Sequence, residues 1–172
     1  MKKSMMKVAI ACVAALMVTV PAETVAADSN IVIGWQKKVP EGKAVKHGDT
    51  FSGSEDCVYT ITLSNNAFKD ATKLDVEYDV FVERQKMAEK AGSEHIEHVK
   101  GKATVENITA MKKVTVDTTK FTLHRSTLGP GTYFTNGGNR SAKDSVKGVW
   151  IRVMQEGKLV AEYINPSTLK TK

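Results

Sequence analysis

The sequence has 172 residues, a length that suits one domain, and its 25 Lys and Arg against 19 Asp and Glu give a formal net charge of +6. Hydrophobic residues at 41% and charged residues at 26% are typical of a globular protein, which excludes a disordered or collagen-like chain. Two cysteines exclude a disulfide-stapled miniprotein and a zinc site built on several cysteines.

The N-terminal stretch predicts an export signal. Three lysines precede an apolar run at residues 8–20, and Val25-Ala26-Ala27 offers the small residues that a signal peptidase reads. The run is too short to span a bilayer, which needs about 20 residues. Too few apolar residues precede Cys12 for a lipoprotein signal. We expect cleavage of residues 1–27 and one exported domain at 28–172, in the periplasm or at the cell surface, with no membrane span.

The mature chain alternates apolar and polar residues with period two. Residues 57–63 and 74–82 alternate in this way, which predicts strands with one face in a core and one in water. Residues 149–153 alternate in the same way. Glu156-Gly157 predicts a turn, and residues 159–163 would form the second strand of a hairpin. Shorter β-branched or aromatic runs lie at residues 31–35, 103–105, 114–116 and 121–123.

One stretch favours a helix. Residues 85–92 are rich in Lys, Glu, Ala and Met, and Gly92 would end a short helix there. Elsewhere we count seven to nine strands without the rhythm of strand–helix–strand units. The prediction is therefore an all-β domain, an antiparallel β-sandwich of two sheets with one short helix.

Two segments carry a resemblance. Residues 59–65 followed by 74–82 resemble strands B and C of an immunoglobulin or fibronectin type III sandwich, and residues 148–153 with 157–162 resemble its last hairpin. The arrangement is similar to small exported Ig-like proteins of Gram-negative bacteria, including ones associated with type IV pili. The resemblance implies an Ig-like fold and a structural or accessory role in a pilus or cell-envelope assembly.

The only cysteine of the mature chain is Cys57. It begins an inward-facing alternation, so we expect a buried thiol that acts as a small apolar residue; the alternative is an intermolecular disulfide. Because Cys57 has no partner in the mature chain, the Cys…Trp…Cys spacing of antibody domains is absent.

Candidate catalytic groups lack the patterns that catalysis needs. His95 and His98 are three apart beside carboxylates, as on a helical turn, but the string is not His-Glu-x-x-His, and we expect an exposed polar segment. Asp75, Glu77 and Asp79 share one strand face; a glycosidase pair is one interpretation, and a solvated strand face is the favoured one. We expect no enzyme, no metal and no cofactor.

The basic charge does not indicate nucleic-acid binding, because the protein is exported and its lysines are scattered among acids. A cationic exported surface can instead meet an acidic protein or an anionic glycan.

Aromatic residues give the candidate contact surface. Trp150, Arg152 and Met154 are out of phase with the core-facing positions beside them, and such residues are enriched in protein interfaces. We predict a partner protein or self-association there. In one alternative, the loop at 126–147 covers Trp150 within the monomer. In another, the protein is a carbohydrate-binding module, although we expect no acidic or amide groups beside Trp150 to bind sugar hydroxyls. The candidate contact residues are Trp150, Arg152, Met154, Tyr133 and Phe134, and the sugar-binding alternative uses Trp150, Tyr133 and Phe134 together with Trp35.

Overall fold

The computed structural model describes residues 30–38, 41–47, 50–89 and 95–171, and of 41–47 and 170–171 it gives the backbone alone. The predicted signal peptide and its cleavage site lie outside these residues. Within them, no helix has the length and the apolar character needed to cross a bilayer.

The described part of the chain is all-β, which confirms the predicted class, but it has more strands than the sequence indicated. Eleven strands form three antiparallel sheets. They are β1 (Ile31–Lys37), β2 (Glu41–His47), β3 (Thr50–Cys57), β4 (Tyr59–Asn65), β5 (Ala71–Arg84), β6 (His95–Ile108), β7 (Lys113–Asp117), β8 (Phe121–Leu128), β9 (Ser141–Lys143), β10 (Ser145–Gln155) and β11 (Lys158–Asn165).

Two of the sheets share one core and form the sandwich. One has the strand order β1-β4-β7 and the other β11-β10-β5-β6. Their inward residues alternate with polar ones, as a period of two requires. They form a single apolar cluster, whose largest fully buried members are Ile61, Leu63, Leu74 and Ile151.

The third sheet, of order β2-β3-β8-β9, extends the first. Only Val58 separates β3 from β4, and β7 is followed after three residues by β8, so the same two chain segments run through both sheets. Tyr59 lies at this junction. Its ring stacks on Trp35 with centroids 4.1 Å apart and on Phe121 at 6.1 Å.

A buried ion pair connects the third sheet to the sandwich. Arg84 of β5 donates from Nη1 to Oδ2 of Asp144 (2.7 Å), which lies between β9 and β10 and is 5% exposed. Burial by itself would raise the pKa of Asp144. The backbone amide of His124, the Arg84 guanidinium and the amide of Gln85 stabilise the carboxylate more strongly, so the pKa is lowered.

Tyr78 bridges the two sheets of the sandwich. Its hydroxyl accepts a hydrogen bond from the amide of Thr119 (2.7 Å), just beyond β7. Tyr78 pairs with Gly101 across β5 and β6. A Cβ at Gly101 would overlap Oη and Cζ of Tyr78 and lie 2.7 Å from Cε2, so the ring occupies the space that glycine leaves.

The predicted helix at 85–92 is wrong over the residues the structure describes, because 85–89 are coil and turn; residues 90–92 lie outside them. Seven good helix formers before Gly92 are too few to hold a helix in water without a packed face. A short 3-10 helix forms instead at Ser167–Thr171. The turn at Glu156-Gly157 is confirmed: φ is +50° and +77°, as a two-residue type I′ hairpin requires.

Candidate functional site

The outer face of the β11-β10-β5-β6 sheet carries the candidate contact residues of β10. Val149, Ile151 and Val153 are buried in the core, and the alternation places Trp150 and Arg152 on the opposite face. We call this surface the outer face. It carries three residues from each of three neighbouring strands: Trp150, Arg152 and Met154 of β10, Asp75, Glu77 and Asp79 of β5, and Lys100, Lys102 and Thr104 of β6.

Trp150 is held in place by charged neighbours. Its Nε1 donates to Oε1 of Glu162 on β11 (2.9 Å), and the Arg152 guanidinium lies 5.0 Å from the ring centroid, a cation–π contact. Arg152 in turn donates from Nη2 to Oε2 of Glu77 (3.0 Å). The half-buried indole is thus fixed in one orientation by side chains from three strands.

The carboxylates of β5 contact basic side chains of the two neighbouring strands, β6 and β10. Nζ of Lys102 lies 3.6 Å from Asp75 and 3.7 Å from Glu77, while Asp79 contacts Nδ1 of His98 at 2.8 Å. Opposite charges in facing cross-strand positions stabilise an antiparallel sheet. The favoured interpretation of this acidic row, a solvated strand face, agrees with these pairs.

A shallow groove of about 410 Å³ follows this face beside Trp150, lined by Glu77, Asp79 and the lysines of β6. Oδ1 of Asp79 is buried there without a hydrogen-bond partner. The expectation that acidic groups are missing beside Trp150 is therefore wrong. Glu162 bonds to the indole and Asp79 faces it across the strands. Both come from neighbouring strands, which the local sequence around Trp150 does not reveal.

Tyr133 and Phe134 lie in the β8–β9 loop, away from Trp150. Tyr133 is 75% exposed. The loop bonds to the β5–β6 connection, where the amide of Ala88 donates to the carbonyl of Asn139 (3.2 Å). That connection begins after Arg84, which lies five residues beyond Asp79, the partner of Trp150, or about 17 Å along the strand. The contacts that cover Trp150 come from Arg152 and Glu162, not from this loop.

The cysteine and the histidines have structural surroundings. Cys57 is fully buried, as predicted, and burial is the main cause that raises its pKa. His95 and His98 lie on strand β6 instead of a helical turn, so they point to opposite faces, toward Glu89 and Asp79 respectively. Among the residues described, no three potential metal ligands come together.

A second groove, of about 520 Å³, lies where the third sheet meets the sandwich. Lys37 pairs with Glu55 at its wall, whereas Arg125 and Lys143 face each other across β8 and β9. Neither has an ion pair with a described carboxylate. No pattern in the sequence indicates this basic groove, because its residues belong to separate strands.

Comparisons with known proteins give no family. No family model matches the chain, and no curated protein matches it. Among solved structures, the chain is similar to a crystal structure from Akkermansia muciniphila, with 11% sequence identity over 87% of this chain and 78% of that chain. The TM-score is 0.32, too low to identify a shared fold or function.

Proposed function

We propose that the protein is a non-catalytic, exported Ig-like module that acts by contact with another protein chain, as a structural or accessory component of a pilus or cell-envelope assembly. The arrangement of the sandwich supports the Ig-like part. A three-stranded sheet faces a four-stranded one, and the chain crosses between them from β4 to β5 and from β6 to β7. The signal-like sequence of residues 1–27 supports export.

The observation that carries the proposal is that Trp150, Arg152 and Met154 lie together on the outer face of the four-stranded sheet of the sandwich. Tryptophan and arginine dominate the binding energy of protein interfaces, and methionine is enriched in them. Trp150 and Arg152 are already held by Glu162 and Glu77, so little side-chain entropy is lost when a partner covers them. The ion pairs of the neighbouring carboxylates favour binding over acid–base chemistry at this face.

The second candidate is a carbohydrate-binding module. The groove beside Trp150 combines an aromatic ring with the carboxylates of Glu77 and Asp79. Such groups can accept hydrogen bonds from sugar hydroxyls. Stacking on the indole, however, requires the Arg152 guanidinium to leave the ring that it covers.

Replacing Trp150 with Ala tests the proposal, with a second copy of the chain as the first partner to examine. We expect the mass measured by light scattering to fall toward that of the monomer, while the circular-dichroism spectrum stays unchanged. Tyr133→Ala is the matched control, because it removes an exposed aromatic side chain from a different surface.

Three other outcomes would count against self-contact. A wild-type protein that is monomeric throughout contradicts it directly. A saturable fluorescence response to soluble glycans that Trp150→Ala abolishes favours the carbohydrate-binding module instead. A variant that merely unfolds at lower denaturant concentration assigns Trp150 a structural role.

A further inference from the structure

One end of the sandwich gathers exposed apolar side chains. The β4–β5 loop and the β6–β7 loop meet there, where the amide of Met111 donates to the carbonyl of Ala67 (3.2 Å). We call residues 66–70 and 109–113 the loop tip. Phe68 is 91% exposed and Met111 59% exposed. Of the seven large exposed apolar residues in the described chain, four lie at or within two residues of this end: Val32, Phe68, Met111 and Leu159.

The loop tip is held rigidly by Asn65, which is 2% exposed. Its Nδ2 donates to the carbonyls of Lys69 (2.7 Å) and Ile108 (3.0 Å), and its Oδ1 accepts from the amide of Ala67 (3.0 Å). One buried amide therefore connects both loops. Phe68 is therefore exposed on a loop whose backbone is fixed by hydrogen bonds. The turn does not need a phenylalanine at that position in order to form.

The loop tip is also cationic. It contains Lys69, Lys112 and Lys113 against one carboxylate, Asp70, a net charge of +2. All three lysines are exposed, and none forms an ion pair with a described carboxylate. The Asp70 carboxylate accepts a hydrogen bond from the amide of Ala110 (2.9 Å), which joins the two loops once more.

We infer that the loop tip binds the surface of an anionic phospholipid bilayer, with Phe68 and Met111 inserted at the headgroup level. Lysine is depleted at protein interfaces, so apolar residues ringed by lysines fit a protein partner poorly. Aromatic and apolar residues flanked by lysine are instead the composition of surfaces that bind anionic membranes.

The test measures binding of the exported full-length product, with its N-terminus verified, to unilamellar vesicles. Vesicles of phosphatidylglycerol and phosphatidylethanolamine are compared with phosphatidylcholine alone, at low and high salt. We expect the Phe68→Ser, Met111→Ser double variant to lower partitioning into anionic vesicles about tenfold or more. Phe51→Ser with Tyr133→Ser is the matched control, because these exposed residues lie elsewhere and should leave binding unchanged.

The charge is tested separately. Lys69→Gln with Lys112→Gln should weaken binding about tenfold or more at low salt and much less at high salt. Arg125→Gln with Lys143→Gln removes the same charge from the second groove and should have little effect. In a third arm, Phe68→Trp should gain a fluorescence signal quenched by brominated phosphatidylglycerol, and Tyr133→Trp should not.

Several results would overturn the inference. Equal binding to neutral and anionic vesicles contradicts the lipid class. Unchanged binding of the Phe68→Ser, Met111→Ser variant contradicts the site. A fall in oligomeric mass of that variant without lipid makes the loop tip a contact between protein chains instead. Failure of the Trp150 experiment leaves the inference intact, since Trp150 lies outside the loop tip.

Discussion

Replacing Gly101 with Ala is expected to destabilise the sandwich more than a strand glycine normally allows. Gly101 faces Tyr78 across β5 and β6, and the tyrosine ring occupies the position of the missing side chain. An alanine Cβ would overlap Oη and Cζ, so the ring must move. That movement breaks the hydrogen bond from the Thr119 amide to the tyrosine hydroxyl, which is 2.7 Å long.

The expected loss in the free energy of unfolding of Gly101→Ala has two parts. Overpacking a filled site costs about 1–3 kcal/mol, and the lost hydrogen bond adds about 1 kcal/mol. We therefore expect Gly101→Ala to lower the free energy of unfolding by about 2–4 kcal/mol. Tyr78→Phe, which removes only the hydroxyl, should cost about 0.5–1.5 kcal/mol. If the clash is the cause, adding Tyr78→Leu should make the cost of Gly101→Ala much smaller.

Urea denaturation followed by circular dichroism measures both parts as shifts of the midpoint. Gly34→Ala is the matched control, since Gly34 also lies in a strand but a Cβ there would make ordinary contact with Thr62 at 3.5 Å. We expect that control to be neutral or slightly stabilising, because alanine restricts the unfolded chain more than glycine. Equal costs for Gly101→Ala and Gly34→Ala, or additive costs with Tyr78→Leu, would refute the reasoning.

Three further predictions concern the thiol, the leader and pH. Cys57 should resist thiol labelling until the protein is denatured, and Cys57→Ala should cost about 1 kcal/mol in denaturation; rapid native labelling would contradict its burial. N-terminal sequencing of envelope-fraction protein should begin at Asp28, and a retained Met1 in cytosolic protein would contradict export. The lowered pKa of Asp144 stabilises the fold above about pH 4, and this contribution is lost as pH falls through the folded-state pKa. Midpoints measured between pH 6 and about 2 should thus fall less steeply in Asp144→Asn than in the wild type.

The sandwich could be predicted from the sequence because each of its strands has one face in a common core. Residues 74–82 and 149–153 alternate strictly, and the buried positions are the ones that the alternation indicates. The third sheet could not be predicted in this way. Most of β3 is partly exposed on both faces, so its residues carry no alternation to detect. The helix prediction failed because residue propensity alone does not hold a short helix.

The candidate site, too, could be predicted from the sequence only in part. The outward position of Trp150 follows from its phase beside Val149 and Ile151, which is local information. Its neighbours Glu162 and Asp79 depend on the register of three strands, which spacing in one segment does not contain. Phe68 gave no signal either, because a single apolar residue in a polar turn becomes informative only when Met111 is placed beside it.

The lysines of β6 limit the ways in which two copies of the chain can pair. β6 is an edge strand of its sheet, and two copies could in principle pair antiparallel through it. A two-fold axis near Gly101 would then place Lys100 opposite Lys102 of the second copy. Like charges in facing positions destabilise such a pair, so extension of the sheet through the middle of β6 is disfavoured. Lys100→Glu with Lys102→Glu would remove this repulsion between lysines only to replace it with one between glutamates. A mixture of the wild type and that variant should therefore be the one combination that pairs through β6, whereas contact through Trp150 should form in the wild type without the variant present.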